Sequence, residues 1–411
     1  MCALAGRPQL WLGVVLLVAL AAGCESGTIE TSFGDGGLPP GGDGAPGLEA
    51  GGGDGAPGDA APGTDGALPD GTITADGPGQ TDAPAQPRLI GRFDTSDPSG
   101  AVFAWSGSAI EARFSGTGIT LRLSDPSSTG DSNRYSIVLD DGVPEFMAIN
   151  SSSQSWVLAN GLADGPHKVL VWRDTEWSGG EARFLGFDIA AGGQYLSTPA
   201  LSRRIEVIGD SITCGYGDTG AGPSCPFSKA TEQHYETYGA LAARSLQADL
   251  TTLCVSGIGI YQGYGGDTSF VMAPRYPRTL PNRDAPAWDF TSWIPHTVVI
   301  NLGTNDLSVG ITEANFKTPY RAFLDTIRGH YPDAWIFLAV GPMLGGSDYT
   351  TTRDWLTQLI AERAGETRMS LVEFGTQDGS LGLGCDWHPS LDEHAYMAGI
   401  LEDLIRQKLG W

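Results

Sequence analysis

Between residues 88 and 202 apolar and polar positions alternate in short runs. In Ile119-Thr120-Leu121-Arg122-Leu123 the apolar side chains fall on one face of a strand, and residues 135–139, 168–172 and 183–189 repeat the pattern. Asp141-Gly142 and Asp164-Gly165 supply tight-turn chemistry between them. Closely spaced strands without helical periodicity predict a β-sandwich over residues 88–202. From residue 203 the period changes. Residues 204–208, 297–302, 335–340 and 370–374 are short apolar runs of the kind buried in parallel sheets. Tyr320, Phe323, Leu324 and Ile327 fall at helical spacing, with Thr318 and Pro319 suited to N-cap and first helical position. Ser390-Leu391-Asp392-Glu393 is a capping-box pattern, followed by Met397, Ile400, Leu401 and Leu404 on one helical face. Alternating strands and helices predict a three-layer α/β domain with a parallel sheet over residues 203–411.

Neither pattern holds at the start of the 411-residue chain. Arg7 precedes an apolar run from Leu10 to Ala22 that is shorter than the ~20 residues a spanning helix needs. A charged start, a short apolar core and small residues before a cysteine read as an export signal over residues 1–24. The ending Leu20-Ala21-Ala22-Gly23-Cys24 looks like a bacterial lipobox, with Cys24 as the lipidated residue. The alternative is an ordinary cleaved signal ending near Ala22. Residues 25–87 hold 18 Gly, 9 Pro and 8 Asp and no Lys or Arg, too little apolar surface to offset ordering entropy, and predict a disordered linker. Much of the formal charge of −24 belongs to that segment, and its sign makes nucleic acid a poor partner. The expected location is the cell envelope, by a lipid anchor in the outer membrane or on the cell surface, or otherwise the secreted fraction. Beyond Cys24 remain Cys214, Cys225, Cys254 and Cys385, enough for two disulfides whose pairing the sequence leaves open. Cys214 and Cys225 flank a loop beside Ser211, where a mutual disulfide and a pair of free thiols are both compatible with the spacing. No CxxC spacing suggests a cysteine zinc site.

Candidate chemistry sits where strands end. Gly209-Asp210-Ser211 follows the first apolar run of the α/β segment, where a small glycine lets the chain turn and lift a hydroxyl onto the sheet's mouth. Gly303-Thr304-Asn305-Asp306 follows another, and its amide is a donor suited to a developing oxyanion. Asp386-Trp387-His388 precedes the last capped helix, with a carboxylate near enough to fix one imidazole tautomer. Each block alone is also an ordinary loop or cap. Together, in chain order at one predicted sheet edge, they make a constellation for nucleophilic catalysis without a metal or cofactor.

These blocks, with Gly257 after Val255-Ser256, resemble the four blocks of the SGNH (GDSL-type) hydrolases. The preceding sandwich and the ending Cys385-Asp386-Trp387-His388-Pro389-Ser390 are similar to carbohydrate esterase family two, over residues 88–411. The resemblance implies a jelly-roll-like sandwich before the α/β domain, with Ser211 as nucleophile, His388 as base and Asp386 as its orienting partner. It implies an oxyanion hole from the N–H groups of Ser211 and Gly257 and the amide of Asn305. Gly259, two residues on, is the alternative donor. Family members also work with a Ser-His dyad supported by a backbone carbonyl, and the residues leave both arrangements open. The implied substrate is an acetylated polysaccharide such as xylan or glucomannan, with Trp387, Tyr216, Tyr261, Tyr264 and Trp293 as platforms for sugar rings, or alternatively as core aromatics. A monomer is expected. Other readings are a carbohydrate-binding lipoprotein without activity, or an esterase acting on lipid, thioester or cell-wall acetyl esters.

Overall fold

The computed structural model describes residues 85–411 apart from 128–129 and 151–154. The expected export signal, Cys24 and all but the last three residues of the expected linker lie outside the described residues. Among the described residues ten strands form the first part: β1 Arg88–Ile90, β2 Ala101–Phe103, β3 Ala109–Ser115, β4 Gly118–Ser124, β5 Asn133–Leu139, β6 Glu145–Ile149, β7 Ser155–Asn160, β8 Pro166–Arg173, β9 Ala182–Ile189 and β10 Gln194–Leu196. All pair antiparallel. One sheet runs β1-β3-β8-β5-β6 with β10 also on β3, and the other runs β2-β9-β4-β7. Alternation explains the layer between them. Ile110, Ala112 and Phe114 of β3 point inward onto Leu121, Leu123, Val169, Val171, Phe184 and Phe187, all in one buried cluster. Each such large side chain contributes about 1.5–3 kcal/mol by leaving water. The β5–β6 turn differs from the sequence expectation. Its central residues are Asp140 and Asp141, both at positive φ, and Gly142 only closes it by donating to Leu139. A two-residue turn of that hand matches strand twist, and aspartate tolerates the left-handed region.

The second part is a parallel sheet ordered β12-β11-β13-β14-β15, from β11 Arg203–Gly209, β12 Ala248–Cys254, β13 Thr297–Asn301, β14 Trp335–Val340 and β15 Met369–Glu373. Its strands are apolar on both faces because helices cover both. The helices are α1 Ser211–Cys214, α2 Tyr238–Ser245, α3 Glu313–His330, α4 Gly346–Ala361 and α5 Leu391–Leu409. Ile208, Val298, Ile300 and Leu338 meet Phe316, Tyr320 and Leu324 of α3 and Leu356 of α4. Val207, Val299, Phe337 and Ala339 meet Tyr238 of α2 and Met397, Leu401 and Ile405 of α5. This is the three-layer arrangement.

The start of α3 corrects the capping expectation. Thr312, not Thr318, caps it, accepting the Asn315 N–H, and Pro319 lies inside the helix. Proline removes one backbone donor there. The earlier turn forms because it carries Phe316 into the core.

The outer face of the six-stranded sheet packs on the α/β part. Ile90, Ala109, Val138 and Trp172 share a buried cluster with Tyr235 and α2. Trp172 Nε1 donates to His234 Nδ1 at 3.1 Å. Arg92 and Glu206 form a buried ion pair at 3.4 Å, with Tyr276 donating to Glu206 at 2.9 Å. Removing one partner of such a pair strands a buried charge at a cost of about 3–5 kcal/mol.

Candidate active site

Parallel strands place their C-terminal ends on one edge, and the four sequence blocks follow β11, β12, β13 and β15 there. Gly209 closes β11. A Cβ on it would stand 2.0 Å from Thr213 Oγ1 and 3.0 Å from the Asn301 carbonyl, so only glycine makes the turn. Asp210 then caps α1 by accepting the Ile212 N–H at 3.1 Å. Burial pushes the Asp210 carboxyl up to about 7, against the Ile212 hydrogen bond and with help from the Asp306 charge. Ser211 is the first helical residue, so its own N–H has no intrahelical acceptor.

His388 closes on the serine, with Nε2 2.9 Å from Ser211 Oγ. Its Nδ1 lies 3.2 Å from the Cys385 carbonyl and 3.1 Å from the Asp386 carbonyl. Carbonyls only accept, so Nδ1 carries the proton and Nε2 is left to accept the serine hydroxyl. Asp386 supports His388 by its main chain. Its carboxylate accepts the Tyr216 hydroxyl at 2.9 Å and the Phe227 N–H at 3.3 Å instead. The orienting role expected of that carboxylate is thus taken by backbone. The cause is local: Asp386 and Trp387 both hold positive φ, 51° and 64°, which turns the carbonyls toward the ring.

Asn305 donates through Nδ2 to the Ile258 carbonyl at 2.9 Å and, more weakly, to Asp210 at 3.3 Å. The next residue fixes this loop to the glycine block: the Asp306 carboxylate accepts the N–H groups of Ile260, Tyr261 and Gln262 at 2.8–3.0 Å. Gly257 has φ +80° and lies beside Tyr264, whose N–H donates to its carbonyl at 2.8 Å. Gly259 is wedged inward, its N–H given to Phe270 and a Cβ there 1.9 Å from the Gln262 carbonyl.

The aromatic residues separate. Trp387, next to His388, and Tyr264, bonded through its N–H to Gly257, are 63% and 75% exposed. Tyr216 lies between Phe227, stacked at 4.0 Å, and His388 at 4.3 Å, so it braces the imidazole rather than offering a free face. Tyr261 packs against the core. Trp293 precedes β13, at the sheet edge opposite the serine, and does not join the site. Phe227 was invisible in the sequence because no motif surrounds it; the only local signal is its nearness to Cys225.

Both disulfides brace this edge. Cys214–Cys254 joins the helix after Ser211 to the strand before Gly257, and Cys225–Cys385 joins the Phe227 loop to the His388 loop. A Cys214–Cys225 pair is absent. With sequence separations of 40 and 160, each singly restricts the unfolded chain by about 4 and about 5 kcal/mol in the loop-entropy account.

Residues 89–199 match the family model described as carbohydrate esterase 2 N-terminal, and residues 207–396 match the GDSL-like lipase/acylhydrolase family. The chain is 41% identical over 324 residues to the cellulase/esterase CelE of Acetivibrio thermocellus, covering 78% of this chain and only 39% of that protein. It is 28% identical over 339 residues to an acetylxylan esterase/glucomannan deacetylase of Cellvibrio japonicus, covering 79% of this chain and 90% of that protein. A solved structure of a Clostridium thermocellum family two carbohydrate esterase in complex with cellohexaose superposes with a TM-score of 0.75 at 41% identity, over 79% of this chain and 99% of that one.

Proposed function

Because the chain belongs to the family two carbohydrate esterases, we propose that it is a serine esterase that removes O-acetyl groups from a polysaccharide of the xylan or glucomannan type. The observation that carries this reading is the 2.9 Å contact between Ser211 Oγ and the acceptor nitrogen of His388. An alcohol is a weak nucleophile at neutral pH, and this contact gives it a base. Burial lowers the His388 pKa, against the two carbonyl contacts and the Asp386 charge, so the imidazole is neutral and ready to accept.

In this mechanism Ser211 Oγ bonds to the acetyl carbonyl carbon while its proton passes to His388 Nε2. The carbonyl oxygen becomes an oxyanion facing the N–H groups of Ser211 and Gly257. Asn305 completes the hole through the N–H that the longer Asp210 contact holds weakly. Losing one such donor typically costs ~100-fold or more in rate. Collapse breaks the ester bond, and His388 protonates the departing sugar oxygen. Water, deprotonated by His388, then releases acetate from Ser211. Trp387 and Tyr264 offer exposed rings beside this point, suited to stacking on sugar faces. The name of the Cellvibrio relative and the cellohexaose bound to the Clostridium enzyme support a polysaccharide over a lipid. The leader and Cys24 support an exported, lipid-tethered protein.

The test is acetate release from acetylated xylan and acetylated glucomannan by the purified full chain, with Ser211→Ala as control. Release from polymer that vanishes in the variant is the expected outcome. Turnover that survives in Ser211→Ala overturns the mechanism. Cleavage of a small activated acetate ester without polymer release overturns the substrate alone.

A further inference from the structure

The sandwich does more than abut the α/β part: one of its loops reaches the turn that carries Gly257. Glu176 lies between β8 and β9 and is buried. Its carboxylate accepts the Ser256 N–H at 2.9 Å, one residue before Gly257. The same oxygen lies 3.8 Å from Cys214 Sγ, in the disulfide that follows Ser211. The loop is itself held. Buried Arg173 donates to the carbonyls of Thr175, Glu176 and Gly180, and the Glu176 N–H donates to Glu232 at 3.2 Å. Glu176, Cys214 and Glu232 stand as close as metal ligands do, but Cys214 is oxidised to the disulfide and offers no thiolate.

Residues 255–258 form a turn closed by the Ile258 N–H on the Val255 carbonyl at 3.2 Å. Gly257, with φ +80°, occupies its third position, which is the geometry of a type II turn. Types I and II differ by a flip of the central peptide, here the one joining Ser256 to Gly257. That peptide carries the Gly257 N–H. The turn type therefore sets the direction in which this donor points, and glycine alone would allow both.

We propose that Glu176 is a positioning residue, supplied by the sandwich, which holds Ser256 so that the Gly257 N–H stays aimed at the oxyanion. The inference rests on the reading of Ser211, His388 and Gly257 given above. An acceptor oxygen is what the role requires, so glutamine serves where alanine does not. Aspartate keeps the charge but is one methylene too short to reach.

The experiment compares Glu176→Ala, Glu176→Gln and Glu176→Asp in the full chain on a small acetate ester. It also measures inhibition by a boronic acid, which forms a tetrahedral adduct on the serine. Glu176→Ala and Glu176→Asp are expected to lower kcat by about 10- to 100-fold with KM nearly unchanged, because the donor acts on the transition state. Boronate affinity should fall by a similar factor, and Glu176→Gln should restore most of both. A merely structural carboxylate would move thermal stability and leave kcat and boronate affinity alone. Wild-type kcat in the folded aspartate variant overturns the proposal even if the alanine variant does not fold. A glutamine variant as impaired as the alanine one also overturns it. An unsubstituted chain inert to the ester overturns the hydrolase reading itself, which separates the two failures.

Discussion

His388 Nδ1 meets the main-chain carbonyl of Asp386 at 3.1 Å, while the side chain of the same Asp386 turns away to the Tyr216 hydroxyl at 2.9 Å. The residue that the spacing offers as the third member of a triad therefore fixes the imidazole with its backbone. Its carboxylate does a different task, holding Tyr216 against the His388 ring and tying down the Phe227 N–H.

Asp386→Asn should accordingly be mild. The backbone carbonyls, and hence the tautomer, survive the substitution. Asparagine keeps an acceptor for Tyr216 and tolerates the positive φ that this position requires. We expect kcat to fall less than about tenfold, where loss of the aspartate from a working triad costs about 10⁴-fold. Steady-state rates on a small acetate ester decide it. A loss of several thousandfold would falsify the backbone-supported arrangement.

The acid limb of the rate profile follows from the same geometry. Burial lowers the His388 pKa from 6.5, and the Asp386 charge opposes that shift. The base must be neutral, so kcat/KM should climb with rising pH along a limb whose midpoint lies below pH 6.5. In Asp386→Asn the opposing charge is gone, and the limb should move to still lower pH. Profiles of both proteins between pH 4 and 8 check the sign; a limb that moves upward in the variant contradicts it.

The candidate site was legible because Gly209-Asp210-Ser211, Asn305 and His388 are local patterns at strand ends, and a parallel sheet brings all such ends to one edge. What escaped were relations across distance. Cysteine pairs separated by 40 and 160 residues have no local signature. The Asp386 side chain was assigned from spacing, but its direction depends on two consecutive positive φ values that composition does not announce. Trp293 looked like a sugar platform because an aromatic residue near a strand does not say which end of that strand it serves. Tyr216 and Tyr261 were placed near the right loops and turned out to be bracing and core residues. Thr318-Pro319 is a good helix start that Phe316, drawn into the core, overrides, so the cap of α3 falls at Thr312.

Opening the Cys225–Cys385 bridge should affect rate as well as stability. It joins the loop bearing Phe227 to the residue whose carbonyl accepts from His388 Nδ1. The paired Cys225→Ala, Cys385→Ala variant should melt on the order of 10 °C lower, from about 5 kcal/mol of lost chain restriction. It should also lose kcat at temperatures where it is still folded, because the imidazole is less firmly held. Calorimetry with rates measured well below the melting point tests both. Unchanged kcat in the folded variant would show that the carbonyls alone suffice.

Trp387 and Tyr264 test the substrate rather than the chemistry. Trp387 precedes His388 and Tyr264 is hydrogen-bonded to Gly257 by its main chain, their rings are 63% and 75% exposed, and neither bonds to Ser211 or His388 by its side chain. Stacking on a sugar face is worth roughly 0.5–1.5 kcal/mol per ring if it resembles an aromatic pair. Replacing both with alanine should therefore raise KM for an acetylated polymer by about 5- to 160-fold. On a small acetate ester, which has no sugar ring to stack, kcat and KM should stay near their original values. The contrast between the two substrates is the measurement, since a disturbed loop would slow both. Equal losses on polymer and small ester would remove these rings from the glycan-binding surface.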